Sequence, residues 1–290
     1  MCLNRLKDTH LTNPMKTADV KMMTIGGRKL RVATWRLDMP SDHLPLLFFN
    51  GIGTNIEAVA PLAEALPDRA FVIFDMPGIG GSPEPVVPYN TFTMAWTSAQ
   101  LLNALGIDQV DVMGVSWGGA MAQHFALQHA RRVRKLILCA TSAGMLMIPG
   151  SPASLSKMAN PRRFVDAAFM QKHFTTLYGG GLGKSPDRAM HMARLRPPTT
   201  RGYMYQLLAM LGWTSAPALP FLKAPTMIMM GDEDSIVPLA NGKFLHSLIP
   251  GSELEVFEGG GHLFLLSHRE QSVSCIRAFL DREESVRKAA

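Results

Sequence analysis

The chain has 290 residues, 47% of them hydrophobic and 18% charged, with a formal net charge of +6. That length fits one large α/β domain, alone or with an inserted subdomain, and it buries enough surface to fold without disulfide or metal staples. The 3 cysteines, Cys2, Cys139 and Cys275, are odd in number and lack C-x-x-C spacing, which argues against a disulfide framework and a zinc site.

Residues 1–18 open with Asn4, Arg5, Lys7, Asp8, Thr9 and His10 and read as a flexible tail. No apolar run follows, so no secretory leader is predicted. Val20 to Ile25, the turn Gly26-Gly27 and Lys29 to Trp35 form an expected antiparallel hairpin. Leu46 to Phe49 is a wholly apolar short strand, as in a sheet covered on both faces. A helix over Glu57–Leu66, a strand over Ala70–Phe74 and an amphipathic helix over Thr91–Leu105 follow. Next come a strand over Val110–Val115, a helix over Gly118–His129 and a strand over Val133–Ala140. This strand–helix alternation predicts an α/β, mostly parallel, doubly wound sheet.

The rhythm stops between residues 143 and 222, which are rich in Pro, Gly, Met and aromatics. Helical pieces are expected near Pro161–His173, Pro186–Arg196 and Arg201–Leu211, and the whole segment reads as a helical cap. The alternation resumes with a strand at Thr226–Met230, a helix at Leu239–Leu248, a strand at Glu253–Phe257 and a helix at Arg269–Arg282. The core therefore comprises 19–142 and 223–290. Basic side chains crowd the cap (Lys157, Arg162, Arg163, Lys172, Lys184, Arg188, Arg194, Arg196, Arg201) against only Asp166 and Asp187, leaving the rest of the chain nearly neutral. The plain reading is a solvated basic face; an electrostatic lure for an anionic substrate or surface is the alternative. No nucleic-acid motif accompanies the charge, and no nucleic-acid partner is expected. No apolar run reaches the roughly 20 residues of a membrane helix, so no transmembrane segment is expected either.

Gly114-Val115-Ser116-Trp117-Gly118 matches G-x-S-x-G where a predicted strand meets a predicted helix. A tight turn there lifts a serine above the sheet, and the following helix N-terminus favours a developing oxyanion. Serine needs a base. His262, in Gly259-Gly260-Gly261-His262 behind the last strand, is the candidate; the other histidines, His173 and His191 in the cap among them, lack such a setting. The base needs a carboxylate to hold its tautomer. Asp232, Glu233 and Asp234 compete after the strand Thr226–Met230, with Asp234 best placed before Pro238. The order Ser116, Asp234, His262 is that of α/β-hydrolases. Oxyanion donors are expected from the N–H groups of Trp117 and of Ile52, in Asn50-Gly51-Ile52-Gly53. Asp75, in Asp75-Met76-Pro77-Gly78, reads as a turn brace, and the nearby glycines lack the lysine of a phosphate loop. The cap's methionines (145, 147, 158, 170, 190, 192, 204 and 210) and aromatics read as cap core or as an adaptable apolar acyl pocket.

Several runs resemble intracellular polyhydroxyalkanoate depolymerases, enzymes of medium-chain-length storage polyesters. They are Phe49-Asn50-Gly51-Ile52-Gly53-Thr54-Asn55, Gly114 to Ala120, Thr141-Ser142-Ala143-Gly144, Pro161-Arg162-Arg163, Tyr178-Gly179-Gly180-Gly181, Gly212-Trp213-Thr214-Ser215 and Gly261-His262-Leu263-Phe264-Leu265. The likeness spans about residues 46 to 280. It implies an α/β-hydrolase fold with Ser116 as nucleophile, Asp234 as acid and His262 as base, cleaving 3-hydroxyacyl esters at a granule surface in the cytoplasm. No cofactor and no metal are expected. A capped carboxylesterase, lactonase or C–C bond hydrolase for a small apolar substrate is the alternative, and a non-catalytic scaffold is the reading from a different class.

Overall fold

The computed structural model describes residues 18–158, 160, 162–180 and 186–283. The expected tail, apart from Ala18, lies outside them, as do residues 284–290.

The chain opens with β1 (Ala18–Ile25) and β2 (Arg28–Trp35), an antiparallel hairpin. Its two-residue turn has Gly26 at φ 54° and Gly27 at φ 77°. Positive φ at both positions is what a hairpin turn matched to strand twist requires. Strands β3 (Leu46–Phe49), β4 (Phe71–Phe74), β5 (Val110–Val115), β6 (Val133–Cys139), β7 (Thr226–Gly231) and β8 (Glu253–Phe257) complete an eight-stranded sheet in the order β1-β2-β4-β3-β5-β6-β7-β8. From β4 onward every neighbour pair is parallel.

Every residue of β3 and β4 is buried, because helices cover both faces. Successive side chains alternate between two cores. Leu47, Phe49, Val72 and Val112 pack with Leu101 and Leu102 of α2 (Thr91–Ala104), Met121 and Phe125 of α3 (Trp117–Gln128) and Leu245 of the later helix over Leu239–Leu248. Leu46, Phe48, Ile73 and Met113 pack with Ala60 and Ala63 of α1 (Ala60–Ala65) and with Ile276 and Phe279 of the last helix, over Arg269–Asp281. Each such Leu or Phe contributes about 1.5–3 kcal/mol through burial.

Between β6 and β7 come α4 (Pro152–Met158), α5 (Arg162–Val165), α6 (Ala167–Tyr178), α7 (Pro186–Arg194) and α8 (Thr200–Met210). The helix read at Pro161–His173 is two helices. Asp166 breaks it and starts α6 by accepting the Phe169 N–H at 3.0 Å. Helix α4 escaped the sequence reading because its Ser-Pro start looks like loop; Ser151 Oγ accepts the Ser154 N–H at 3.1 Å, with Pro152 in the first turn. The helix expected at Glu57–Leu66 is likewise split, into a 3-10 turn at Ile56–Ala58 and α1, with Pro61 starting the latter. After β7 follow α9 (Leu239–Leu248), α10 (Phe264–Ser267) and α11 (Arg269–Asp281). Among the described residues no helix is long and apolar enough to cross a membrane.

Strand order reverses at β3, whose chain goes on to β4 on one side while β5 lies on the other. The crevice beyond the carboxyl ends of β3 and β5 is where such sheets bind ligands.

Candidate active site

Ser116 stands at the end of β5 and caps α3, with φ 56° and ψ −120°. A non-glycine residue in that region costs on the order of 1–3 kcal/mol and persists only when its surroundings hold it. Three bonds do so. The Ser116 N–H donates to the Cys139 carbonyl at 2.9 Å, and its carbonyl accepts from the Gly119 N–H at 2.9 Å and from Thr141 Oγ1 at 2.8 Å. The flanking glycines are set by space: a Cβ at Gly114 would lie 2.2 Å from the Gly118 carbonyl oxygen, and one at Gly118 would lie 2.1 Å from that of Phe49.

His262 lies in the loop after β8 and is 6% exposed. Its Nδ1 is 2.7 Å from Asp234 Oδ2. The other carboxylate oxygen, Oδ1, accepts the N–H groups of Ile236 at 2.8 Å and Val237 at 2.9 Å. Asp234 is buried, whereas Asp232 and Glu233 are exposed. Of the three competing acids, the structure brings Asp234 to His262. The His262 N–H donates to the Tyr178 carbonyl at 2.6 Å, and the two rings lie nearly parallel with centroids 6.5 Å apart. Gly261 permits this approach, since a Cβ there would meet the Tyr178 oxygen at 2.1 Å. Burial raises the Tyr178 hydroxyl above its ordinary pKa, keeping it a neutral phenol.

The loop after β3 is folded by Asn50, whose Nδ2 donates to the carbonyls of Thr54 and Asn55 at 3.2 and 3.0 Å. Gln206 of α8, 1% exposed, reaches into this loop and accepts the Gly53 N–H at 2.8 Å through Oε1. Its backbone carbonyl accepts Trp117 Nε1 at 2.9 Å. One residue of α8 thus touches both segments named as oxyanion donors. Trp117 is the first residue of α3, where an N–H has no acceptor within its own helix.

Ser116, Ile52 and His262 line one cavity of about 810 Å³. Its wall includes Met158, Met170, Met190 and Met192, while Met145 and Met204, read as cap core or pocket, are exposed on the surface. Arg163, Arg194, Arg196 and Arg269 also line it. The basic segment is therefore more than a solvated face: Arg163 is 6% exposed and its guanidinium lies over the Tyr203 ring, 5.4 Å from the centroid. Arg196 pairs with Glu57 at 2.9 Å, as does Arg31. Burial alone would raise the Glu57 carboxyl, but hydrogen bonds from Arg31 and Asn55 hold it below its ordinary value. Asn55, fully buried, donates to the Arg194 carbonyl and accepts the Arg196 N–H, both at 2.9 Å, and so pins this wall to the β3 loop.

Sequence reasoning passed over His191. It lines the same cavity and is 8% exposed, yet its Nδ1 is buried without a hydrogen-bond partner. Burial first, then the nearby Arg194, pushes its pKa down to about 4, so it is a neutral imidazole. Asp75 is a brace, as expected: Oδ1 accepts the Ile56 N–H at 2.8 Å and Oδ2 the Gly81 N–H at 2.8 Å. Among the described residues one group, His43, Asp68 and Asp281, has metal-ligand proximity. It lies beside the amino ends of β3 and β4, away from Ser116, and its carboxylates are bonded to Arg69 and Arg277.

Residues 45–269 match the model of the α/β hydrolase fold family. The chain belongs to that family. This α/β hydrolase is 45% identical over 244 residues to a poly(3-hydroxyalkanoate) depolymerase of Ectopseudomonas oleovorans, covering 83% of this chain and 86% of the relative. It is 28% identical to a 2-hydroxymuconate semialdehyde hydrolase of Pseudomonas putida, over 90% and 96% of the two chains. Among solved structures it resembles an esterase from Exiguobacterium antarcticum, with a TM-score of 0.77, 22% identity and coverage of 90% and 99%, a likeness of fold.

Proposed function

We propose that this α/β hydrolase cleaves the ester bonds of 3-hydroxyalkanoate polyesters or their oligomers through an acyl-enzyme on Ser116. The substrate class rests on the 45% likeness to a poly(3-hydroxyalkanoate) depolymerase. The chemistry rests on one observation above others: the buried 2.7 Å bond between His262 and Asp234 opens onto the cavity that Ser116 lines.

Asp234 holds the Nδ1 proton of His262, which leaves Nε2 as the base. As Ser116 Oγ attacks the ester carbonyl, His262 takes its proton and the Asp234 carboxylate stabilises the imidazolium. The N–H groups of Trp117 and Ile52 receive the oxyanion. His262 then protonates the leaving alkoxide and activates the water that deacylates Ser116. Residues 143–222 act as the cap over core segments 19–142 and 223–290. Its methionines accommodate the alkyl side chains, and its arginines favour the carboxylate that hydrolysis releases. The setting is the cytoplasm, at the surface of a polyester granule.

Wild type is expected to clear suspensions of medium-chain polyhydroxyalkanoate and release 3-hydroxy acids, and Ser116→Ala to do neither while remaining folded. Hydrolysis of small esters through Ser116 with the polymer left intact would replace this reading with a small-substrate esterase or C–C hydrolase, the direction in which the semialdehyde hydrolase likeness points.

A further inference from the structure

Helix α8 is built inside out. Its buried positions are Gly202, Gln206 and Ala209. Its apolar stripe, Met204, Leu207, Leu208 and Leu211, follows the i, i+3, i+4, i+7 spacing of a core face but points to solvent, with Leu208 46% and Leu211 79% exposed. Neighbouring elements extend the stripe. The Met145 N–H donates to the Trp213 carbonyl at 2.9 Å, which sets exposed Met145 and Leu146 beside the end of α8. The Trp213 indole bonds His124, whose ring meets exposed Phe92 of α2 edge-on. Tyr205 of α8 packs on Tyr89, and exposed Val86 and Val87 precede that residue.

This surface draws on residues 85–107, 136–156 and 202–222. None of those three stretches contains an Asp, Glu, Lys, Arg or His, in a chain that is 18% charged. A contiguous exposed apolar area marks an interaction site. Its lack of charge says what kind. An anionic lipid surface is held by lysines and arginines, and these three stretches have none. A neutral aliphatic polyester takes apolar side chains from water without stripping any ion of its hydration.

We infer that the outward face of α8, with Met145, Leu146, Phe92 and Val87, is the surface by which this protein adsorbs to solid polyester. The inference rests on the polyester reading above. The inner side of the same helix carries Gln206, bonded to Gly53 and Trp117. Adsorption therefore holds the Gly53 loop and Trp117 about one helix diameter, roughly 10 Å, from the polymer.

The test is co-sedimentation with medium-chain polyhydroxyalkanoate particles, run beside polymer clearing and hydrolysis of soluble 4-nitrophenyl octanoate. Leu208→Glu/Leu211→Glu should reduce the pelleted fraction and the clearing rate at least tenfold while soluble-ester kcat/KM stays within twofold of wild type. Met145→Glu/Leu146→Glu should do the same, and Val256→Glu, at an exposed position on edge strand β8, should change nothing. Pelleting of both double variants at the wild-type level overturns the inference. So does wild-type binding to phosphatidylcholine vesicles as strong as to polymer, or a wild-type dimer that these variants convert to monomer, since lipid or a second copy then owns the face. Adsorption without clearing by wild type refutes the polyester reaction and leaves the surface. Equal clearing by wild type and both double variants refutes the surface and leaves the reaction.

Discussion

Asp234→Asn probes the proposed machinery at its least forgiving point. Asp234 Oδ1 already accepts two backbone N–H groups, at 2.8 and 2.9 Å, and Oδ2 faces His262 Nδ1 at 2.7 Å. Asparagine has one acceptor oxygen. The two amides claim it, so the NH2 group must point at Nδ1. A ring nitrogen met by a donor has to be the acceptor, and the imidazole proton moves to Nε2, the nitrogen left for Ser116. The base is then in the wrong tautomer while its position is unchanged. The expected cost is about 10⁴-fold in kcat, equivalent to ~5 kcal/mol, with KM for the soluble ester nearly constant. Steady-state kinetics on 4-nitrophenyl octanoate at pH 7.5, with circular dichroism to confirm folding, measures it. Asp232→Asn and Glu233→Gln change exposed side chains and should stay within twofold of wild type. A loss below tenfold in Asp234→Asn, or an equal loss in Asp232→Asn, would refute the reasoning.

Gln206→Leu removes the acceptor of the buried Gly53 N–H, a group that costs about 1–3 kcal/mol when left unpaired. It should lower kcat by about tenfold to a hundredfold and affect KM less; an unchanged kcat would separate α8 from the oxyanion loop. His191→Phe should flatten part of the acid dependence of stability. His191 is neutral when folded, with a pKa of about 4 against an ordinary 6.5, so its contribution is intact above pH 6.5 and is lost as pH falls towards 4. At pH 5 that loss is ~2 kcal/mol, and urea unfolding at pH 7.5 and pH 5 should show wild type falling by that much more than the variant. Parallel pH dependences would show that the histidine is not held neutral.

The residues around Ser116 were legible in the sequence because steric demand wrote them there. Gly114 and Gly118 are glycines where β5, α3 and β3 come too close for a Cβ, and that requirement survives in the letters as G-x-S-x-G at a strand–helix junction. The double-sided burial of β3 was equally plain in Leu-Leu-Phe-Phe. The helices between β6 and β7 were less so. A helical pattern states which side chains share a face but not which way that face turns, and a helix with a cavity on one side and core or solvent on the other has two acceptable orientations. In α8 the apolar stripe Met204, Leu207, Leu208 and Leu211 faces solvent, and the helix buries Gln206 instead, whose side chain accepts the Gly53 N–H. His191 had no signal in sequence, and Arg163 stood out only as one of the cap's basic residues and in the run Pro161-Arg162-Arg163, not as a buried one. Their burial depends on a cavity that only tertiary packing creates.

The same bonds bear on how independent the helices between β6 and β7 are. Tyr178, at the end of α6, holds the His262 backbone; Asn55 ties residues 194–196 to the β3 loop; Gln206 holds Gly53 on one side and Trp117 on the other. Each loop that carries a proposed reacting group therefore has a backbone or indole N–H, or a carbonyl, bonded to this segment or to its anchor. Lifting these helices as one rigid lid would break all of those bonds together and leave several donors unpaired, at about 1–3 kcal/mol for each that stays buried. Substrate entry by side-chain movement in the Met-rich wall costs far less, since Met190 and Met192 rotate without breaking a hydrogen bond. Changes of substrate range should accordingly follow substitutions at Met158, Met170, Met190 and Met192, whereas changes at Asn55 or Gln206, whose side chains make these bonds, should lower the rate for every ester alike.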